Sequence, residues 1–423
     1  MKYFLVVFVG SIFFLGYAQY IFAEKPPYAA KPDFEEKPGK ELESKKYILD
    51  SRFDSGIFFS TPDKNFQAKF GALLQFDGIS LNTNKAILDE ESGVRRSRLI
   101  LDMLFLKNWQ IMAMYDVAVR PLNLGGFQYF YIGYLGIPKT RLTLGNQQEK
   151  VGLEWNTSSQ EIPFLERSIM TSLLPPMHLG ILANTHGDSW SYGLGVFGGR
   201  ITEGFHFHNN WGASSRFTYT PIRNDDTILH LGISSAYRDQ LGIVSPAEVA
   251  GAGTSNAEAA RFSSSENLSF YNQLVGTEVA LRKGSFTAQF EYLRNFKNAE
   301  QGIPKVEYDS WYVQGVWILT GEVRNYISMN GIFGSINPIR KSSGGYNIGA
   351  WEIAVRYAEN NVTKGVSVLD YDKSNITIGL NWHLSENVRV ITNYIRVESD
   401  QSATPSRGKE YANAIGTRIQ INF

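Results

Sequence analysis

The chain has 423 residues, 41 Lys and Arg against 41 Asp and Glu, no cysteine, 39 glycines and 13% aromatic residues. Zero formal charge excludes the basic field on which nucleic-acid binding depends, and the missing cysteine excludes disulfides, thiolate metal sites and cysteine nucleophiles. The length admits two or three soluble domains or one very large sheet, and the aromatic and glycine content favours the sheet.

At the N-terminus Lys2 precedes an apolar run from Tyr3 to Tyr17, with small residues at Gly16, Ala18 and Ala23 before a charged stretch. This is the pattern of a secretory signal peptide over residues 1–23, cleaved after Ala18 or Ala23. Residues 24–64 read as a periplasmic lead-in, and Glu24 to Lys46 is rich in Pro, Lys and Glu with little to bury. Beyond it no stretch reaches the ~18 consecutive apolar residues of a membrane helix, and stripes of helical period are missing.

From residue 65 onward the recurring signal is period two. Phe66, Ala68, Phe70, Ala72, Leu74 and Phe76 alternate with Gln67, Lys69, Gly71, Leu73, Gln75 and Asp77. The same alternation returns at Phe286 to Tyr292, at Asn375 to Leu384 and at Ala414 to Phe423. Successive side chains of a strand point to opposite faces, so each run has one oily and one wet face. Such runs predict strands at 66–79, 95–106, 109–119, 126–136, 140–149, 177–186, 190–199, 211–221, 227–238, 272–283, 285–297, 308–320, 346–360, 374–385, 387–398 and 412–423, sixteen in all. Those at 126–136 and 387–398 alternate poorly.

The connections alternate too. Lys107-Asn108, Lys283-Gly284 and Ser385-Glu386 are tight, whereas 150–176, 239–271 and 399–411 are long. Short turns on one side, long loops on the other and an apolar outward face define an all-β, transmembrane antiparallel β-barrel of sixteen strands, with its outer wall in outer-membrane lipid. Two links break the rule, each a signal that a strand could be miscounted there: 321–345 is long on the short-turn side and 120–125 is short on the long-loop side.

Several stretches occur in the order seen in a known family. They are Gly93-Val94-Arg95-Arg96-Ser97-Arg98-Leu99, Trp109 to Asp116, Leu142 to Gln147, Ser158 to Ser168, Gly195 to Gly199, Trp311 to Gln314 with Leu319 to Glu322, Gly349 to Glu352 with Arg356-Tyr357, and Gly379 to Trp382 with Val388-Arg389 and Asn393-Tyr394. Over residues 65–423 the chain resembles the phosphate-selective porins of the O and P type. The resemblance implies a sixteen-stranded outer-membrane porin, a homotrimer, with inward-folded loops that narrow a channel for small hydrophilic solutes or anions.

Alternation assigns Lys69, Arg96, Arg98, Arg141, Arg216, Arg238, Arg282, Arg356 and Arg418 to the lumen, against Asp77, Asp102, Asp116, Glu149, Glu278, Glu291 and Glu352. The mixture suits salt-bridge ladders around a general pore. Loop 150–176, the candidate constriction, carries Glu154, Glu161 and Glu166 against Lys150 and Arg167 and is not a basic filter. His206 and His208 have metal-like spacing without a third ligand, and the six histidines sit near no serine motif, so neither a metal, a cofactor nor catalysis is expected. Ile419, Ile421 and Phe423 share one face at the chain end, the pattern of a signal for the barrel-insertion machinery. The outer leaflet adds lipopolysaccharide as a neighbour. A diffusion porin is therefore expected, with a phosphate- or polyphosphate-selective anion channel, or a plugged structural barrel or surface adhesin displaying 239–271, as the alternatives.

Overall fold

A computed structural model describes residues 50–53, 56–83, 89–118, 126–201, 210–240, 243–244, 267–268, 271–298, 306–336, 349–364, 372–401 and 408–423. The leader 1–23, the Pro-rich stretch 24–46, His206, His208 and nearly all of 239–271 after Gln240 lie outside these residues.

Sixteen strands form the wall: β1 (Phe66–Thr83), β2 (Asp89–Phe105), β3 (Trp109–Asp116), β4 (Gly126–Ile137), β5 (Thr140–Gln148), β6 (Met177–His186), β7 (Trp190–Phe197), β8 (Asn210–Arg223), β9 (Thr227–Gln240), β10 (Tyr271–Lys283), β11 (Phe286–Asn298), β12 (Val306–Ile318), β13 (Ala350–Lys364), β14 (Asp372–His383), β15 (Val388–Gln401) and β16 (Gly408–Asn422). Each pairs antiparallel with its sequence neighbour, and β16 returns to β1 with Arg418 opposite Asp77, so the sheet closes and presents no free edge there. Where β16 ends, Ile57–Ser60 takes over the edge of β1 against Gln67–Phe70, and Asp50–Phe53 pairs with it in turn. The end of the 24–64 lead-in thus contributes this hairpin to the sheet and pairs amides that the lower part of β1 would otherwise expose.

The outward residues are apolar and exposed, as with Leu99 at 60%, Ile181 at 61% and Ile415 at 59%, whereas Gln75, Asn146, Thr377, Asn381 and Arg418 face inward and are buried. Aromatic pairs border the outer wall, with Trp109–Tyr134 at 4.9 Å and Trp351–Trp382 at 5.4 Å near the short turns, and Trp211–Tyr237 at 5.2 Å and Trp311–Tyr357 at 5.3 Å nearer the loops. Such girdles suit the two membrane interfaces.

Two features depart from simple alternation. In β2, Gln75 pairs with Arg96 and Phe76 with Val94, so Arg95 is an extra residue in a β-bulge and turns inward beside Arg96. In β15 the inward residues include Ile391, Ile395 and Val397, and Ile395 and Val397 pack with Leu81, Ala412 and Ala414 in an apolar lumen cluster while Arg396 and Glu398 face outward. That inversion explains why 387–398 alternates poorly as a lipid-facing pattern.

The long link after β12 conceals no missing strand of the wall, since β12 pairs directly with β13. It folds into the lumen and makes a small hairpin from Tyr326–Ile327 and Ile332–Phe333. β3 likewise pairs directly with β4, so no strand of the wall is missing between them. The loop after β5 enters from the opposite end, and the two meet in one cluster of Leu153, Ile228, Ala280, Ile332 and Phe333.

Candidate functional site: the loop-narrowed lumen

The loop leaves β5 at Glu149 and crosses the barrel interior on backbone contacts. Ser214 Oγ accepts the amide of Lys150 at 3.2 Å and Ser234 Oγ that of Gly152 at 3.3 Å. Glu291 of β11 then accepts the amides of Leu153 and Glu154, each at 2.7 Å, and so fixes the short helix Leu153–Asn156. Returning along the far wall, the loop's carbonyls are held by side chains: Ile162 by Arg389 at 3.0 Å, Pro163 by Asn381 at 2.7 Å, Leu165 by Arg418 and Glu166 by Arg356 at 3.2 Å. Leu165 fits because residue 416 is glycine; a Cβ there would lie 2.6 Å from Leu165 Cδ1.

Glu154, one of the acids expected on the constriction loop, sits inside the inserted loop. It is buried, pairs with Arg356 at 2.9 Å and accepts Ser168 N and Oγ at 2.9 and 2.7 Å, tying the loop's outward and returning limbs together. Arg356 also covers the Phe164 ring at 4.4 Å. Arg167 turns back onto the loop, donating to Glu154 O at 3.1 Å and Thr157 O at 2.6 Å, and Glu161 lends its carbonyl to Arg324 at 2.9 Å.

Glu166 receives three guanidiniums. Arg95 Nε lies 2.7 Å from one of its oxygens, Arg96 Nη2 3.1 Å from the other, and Arg418 Nη2 2.8 Å from the first. Burial opposes the charge on this carboxylate, but Arg95, Arg96 and Arg418 outweigh it and hold Glu166 well below the usual carboxylate range.

The lumen charges expected from alternation largely form pairs. Arg98 faces Asp116 at 3.3 Å and Ser159 Oγ at 3.2 Å, and Arg216 faces Glu278 at 2.8 Å. Arg238 pairs with Glu149, which His178 also approaches at 2.9 Å. The inserted hairpin is gripped in the same manner, by Arg216 on Asn330 O at 2.7 Å and Gly331 O at 2.8 Å, by Arg282 on Arg324 O at 2.9 Å and by Asn184 on Met329 O at 2.7 Å. Lys69 stands opposite Asp102, which accepts Gln110 at 2.7 Å and interacts with Arg141. Sequence reasoning missed Arg95, hidden by its bulge, Arg389, on a strand with inverted polarity, and Arg324, in a link; Arg324 pairs with Glu352.

The two sides of the lumen differ in burial. Arg98, Tyr129, Tyr131, Arg141, Lys150 and Arg167, on β2, β4, β5 and the loop, are half-buried, whereas the side of β9, β10 and β13 is filled by inserted chain. Among the described residues Arg141 and Lys150 make no ion pair. Burial, together with Arg141 and Arg216, pushes the Lys150 ammonium down to about 7. At the chain end Ile419 and Phe423 face outward and are exposed. Phe423 is not frayed: its amide and carbonyl pair with Ala72 at 3.0 and 2.7 Å.

A closed barrel with an apolar, aromatic-bordered outer wall and a charged lumen narrowed by inserted loops is an outer-membrane porin channel. The model of the family "Phosphate-selective porin O and P" matches residues 63–423, and the chain belongs to that family. It is 26% identical over 415 residues to Porin O of Pseudomonas aeruginosa, covering 87% of this chain and 91% of that protein. Among solved structures it is similar to the outer-membrane channel DcaP of Acinetobacter baumannii, at TM-score 0.55 and 9% identity over 86% of this chain and 99% of that one. It is also similar to a trimer form of OmpT of Vibrio cholerae, at TM-score 0.50 and 11% identity over 85% and 99%.

Proposed function

We propose that this outer-membrane porin passes small hydrophilic solutes by diffusion, with a mild preference for anions and no covalent step. The observation that carries the reading is the unequal fate of lumen charge. Asp77, Asp116, Glu149, Glu154, Glu166, Glu278 and Glu352 are engaged by guanidiniums and Glu291 by backbone amides, whereas Arg141 and Lys150 remain half-buried beside Asp102 and the loop. Fixed charge at a narrow point governs selectivity more than total charge does. Reversal potentials across planar bilayers under a KCl gradient test it: a chloride preference that Arg141→Gln weakens supports the reading, and cation preference in the unaltered channel rejects it.

Phosphate or polyphosphate selectivity is the second reading. It is favoured by the cluster of Arg95, Arg96 and Arg418 on one carboxylate and by the description of the family, and it would appear as phosphate-inhibited chloride current. Negligible conductance would instead favour a plugged structural barrel.

A homotrimer in lipid and lipopolysaccharide suits the outer wall near the closing seam. There Thr392 and Thr417 share a hydrogen bond at 3.2 Å and Tyr394 OH donates to Asn413 at 2.9 Å on the exposed face, polar groups that fit a neighbouring subunit better than lipid. Residues 1–23 act as the export signal in this reading, and Ile419, Ile421 and Phe423 as the signal to the insertion machinery.

A further inference from the structure

We propose that Glu166 is a tethered counter-ion that sets the selectivity of the channel. Its carboxylate fills an oxyanion site built by Arg95, Arg96 and Arg418, and so holds back an anion preference that these guanidiniums would otherwise confer. The proposal deepens the diffusion-porin reading and rests on it for the route that solutes take.

Three observations carry it. Three guanidiniums from β2 and β16 converge within 3.1 Å on the two oxygens of one loop carboxylate, the arrangement a free carboxylate or phosphate would need. Among the described residues Arg96 otherwise donates to the neutral Gln75 at 2.7 Å, and Asp77 pairs with Arg418 at 2.7 and 2.8 Å. The cluster therefore holds three positive and two negative charges, and neutralising Glu166 would double its net positive charge. Finally, the Glu166 side chain keeps 14% of its surface exposed against 7% for Arg95, 4% for Arg96 and none for Arg418, so the loop carboxylate is the most exposed member of the cluster.

A purely mechanical anchor would use the same contacts, and charge separates the two roles. Glu166→Gln keeps the shape and hydrogen-bonding capacity, while Glu166→Asp keeps the charge and shortens the reach. In planar bilayers, reversal potentials under a KCl gradient and titration of chloride current with inorganic phosphate are measured for both variants of the full chain. We expect Glu166→Gln to raise the chloride-to-potassium permeability ratio several-fold and to make the current phosphate-sensitive, while Glu166→Asp stays close to the unaltered channel. Equal shifts in both variants, or none in either, overturn the proposal.

If Glu166→Gln fails to fold, Arg95→Gln supplies the opposite change, and its ratio should move toward cations; an unchanged ratio overturns the proposal. An unaltered channel without anion preference that gains one in Glu166→Gln rejects the anion-preferring reading and keeps this one. An anion preference weakened by Arg141→Gln but indifferent to Glu166→Gln does the reverse.

Discussion

Arg418 and Asp77 stand directly opposite each other across the seam where the last strand meets the first, joined by two parallel hydrogen bonds of 2.7 and 2.8 Å, and both are buried. The closing register is thereby marked by a charge pair as well as by the ladder. Removing one member of a buried pair strands the other, at a cost of about 3–5 kcal/mol. We expect Arg418→Gln to lower the unfolding midpoint in detergent markedly, and the double variant with Asp77→Asn to recover a large part of the loss. A double variant no better than the single one would assign the loss to the contacts of Arg418 with Glu166 and Leu165 instead of to a stranded Asp77.

Lys150 gives the channel a pH response near neutrality. Its ammonium titrates at about 7, depressed by burial and by Arg141 and Arg216, so it is cationic below that pH and neutral above. Anion preference should fall as pH rises from about 6 to about 8, since a lysine ordinarily keeps its charge across that range. In Lys150→Gln the preference should be lower and flat with pH. Reversal potentials measured across that range check both statements.

Gly331 turns the inserted hairpin at φ +57, and a Cβ there would collide with Thr218 Oγ1 while lying 3.0 Å from Ser191 Oγ. Gly331→Ala adds left-handed strain of about 1–3 kcal/mol to that clash. The hairpin should leave the wall and single-channel conductance should rise. Unchanged conductance would mean that the hairpin does not bound the open path.

Phe423 joins two roles. Two hydrogen bonds tie it to Ala72, so its deletion should cost refolded protein about 1–3 kcal/mol. As part of the proposed insertion signal it should also matter in the cell, and the amount of folded barrel in the outer membrane should fall further than that loss explains. Thermal midpoints in detergent beside folded yield in cells separate the two contributions.

Lipid made the wall legible in the sequence. Because the surroundings are apolar over most of the outside, fourteen of the sixteen strands announce themselves by clear alternation, and Arg96, Arg98 and Arg418 are assigned to the lumen by parity alone. Parity fails where the backbone adds a residue, so Arg95 was lost at its bulge. It fails again where the inside turns apolar, as at Ile395 and Val397. The burial of Glu154 was illegible for another reason: its partners Arg356 and Ser168 meet it only after the loop has folded back, and no local pattern encodes that encounter.

The returning limb of the inserted loop is grasped through its peptide carbonyls, at Ile162, Pro163, Leu165 and Glu166, by Arg389, Asn381, Arg418 and Arg356. A carbonyl belongs to whatever residue occupies the position, so this grip holds the loop's course independently of side chains that do not pack into the wall as Ile162, Phe164 and Leu165 do. The wall thus acts as a fixture into which different loop sequences can be set. Descendants of such a chain could change the solute they admit by substitution within the loop while inheriting its path across the barrel unaltered.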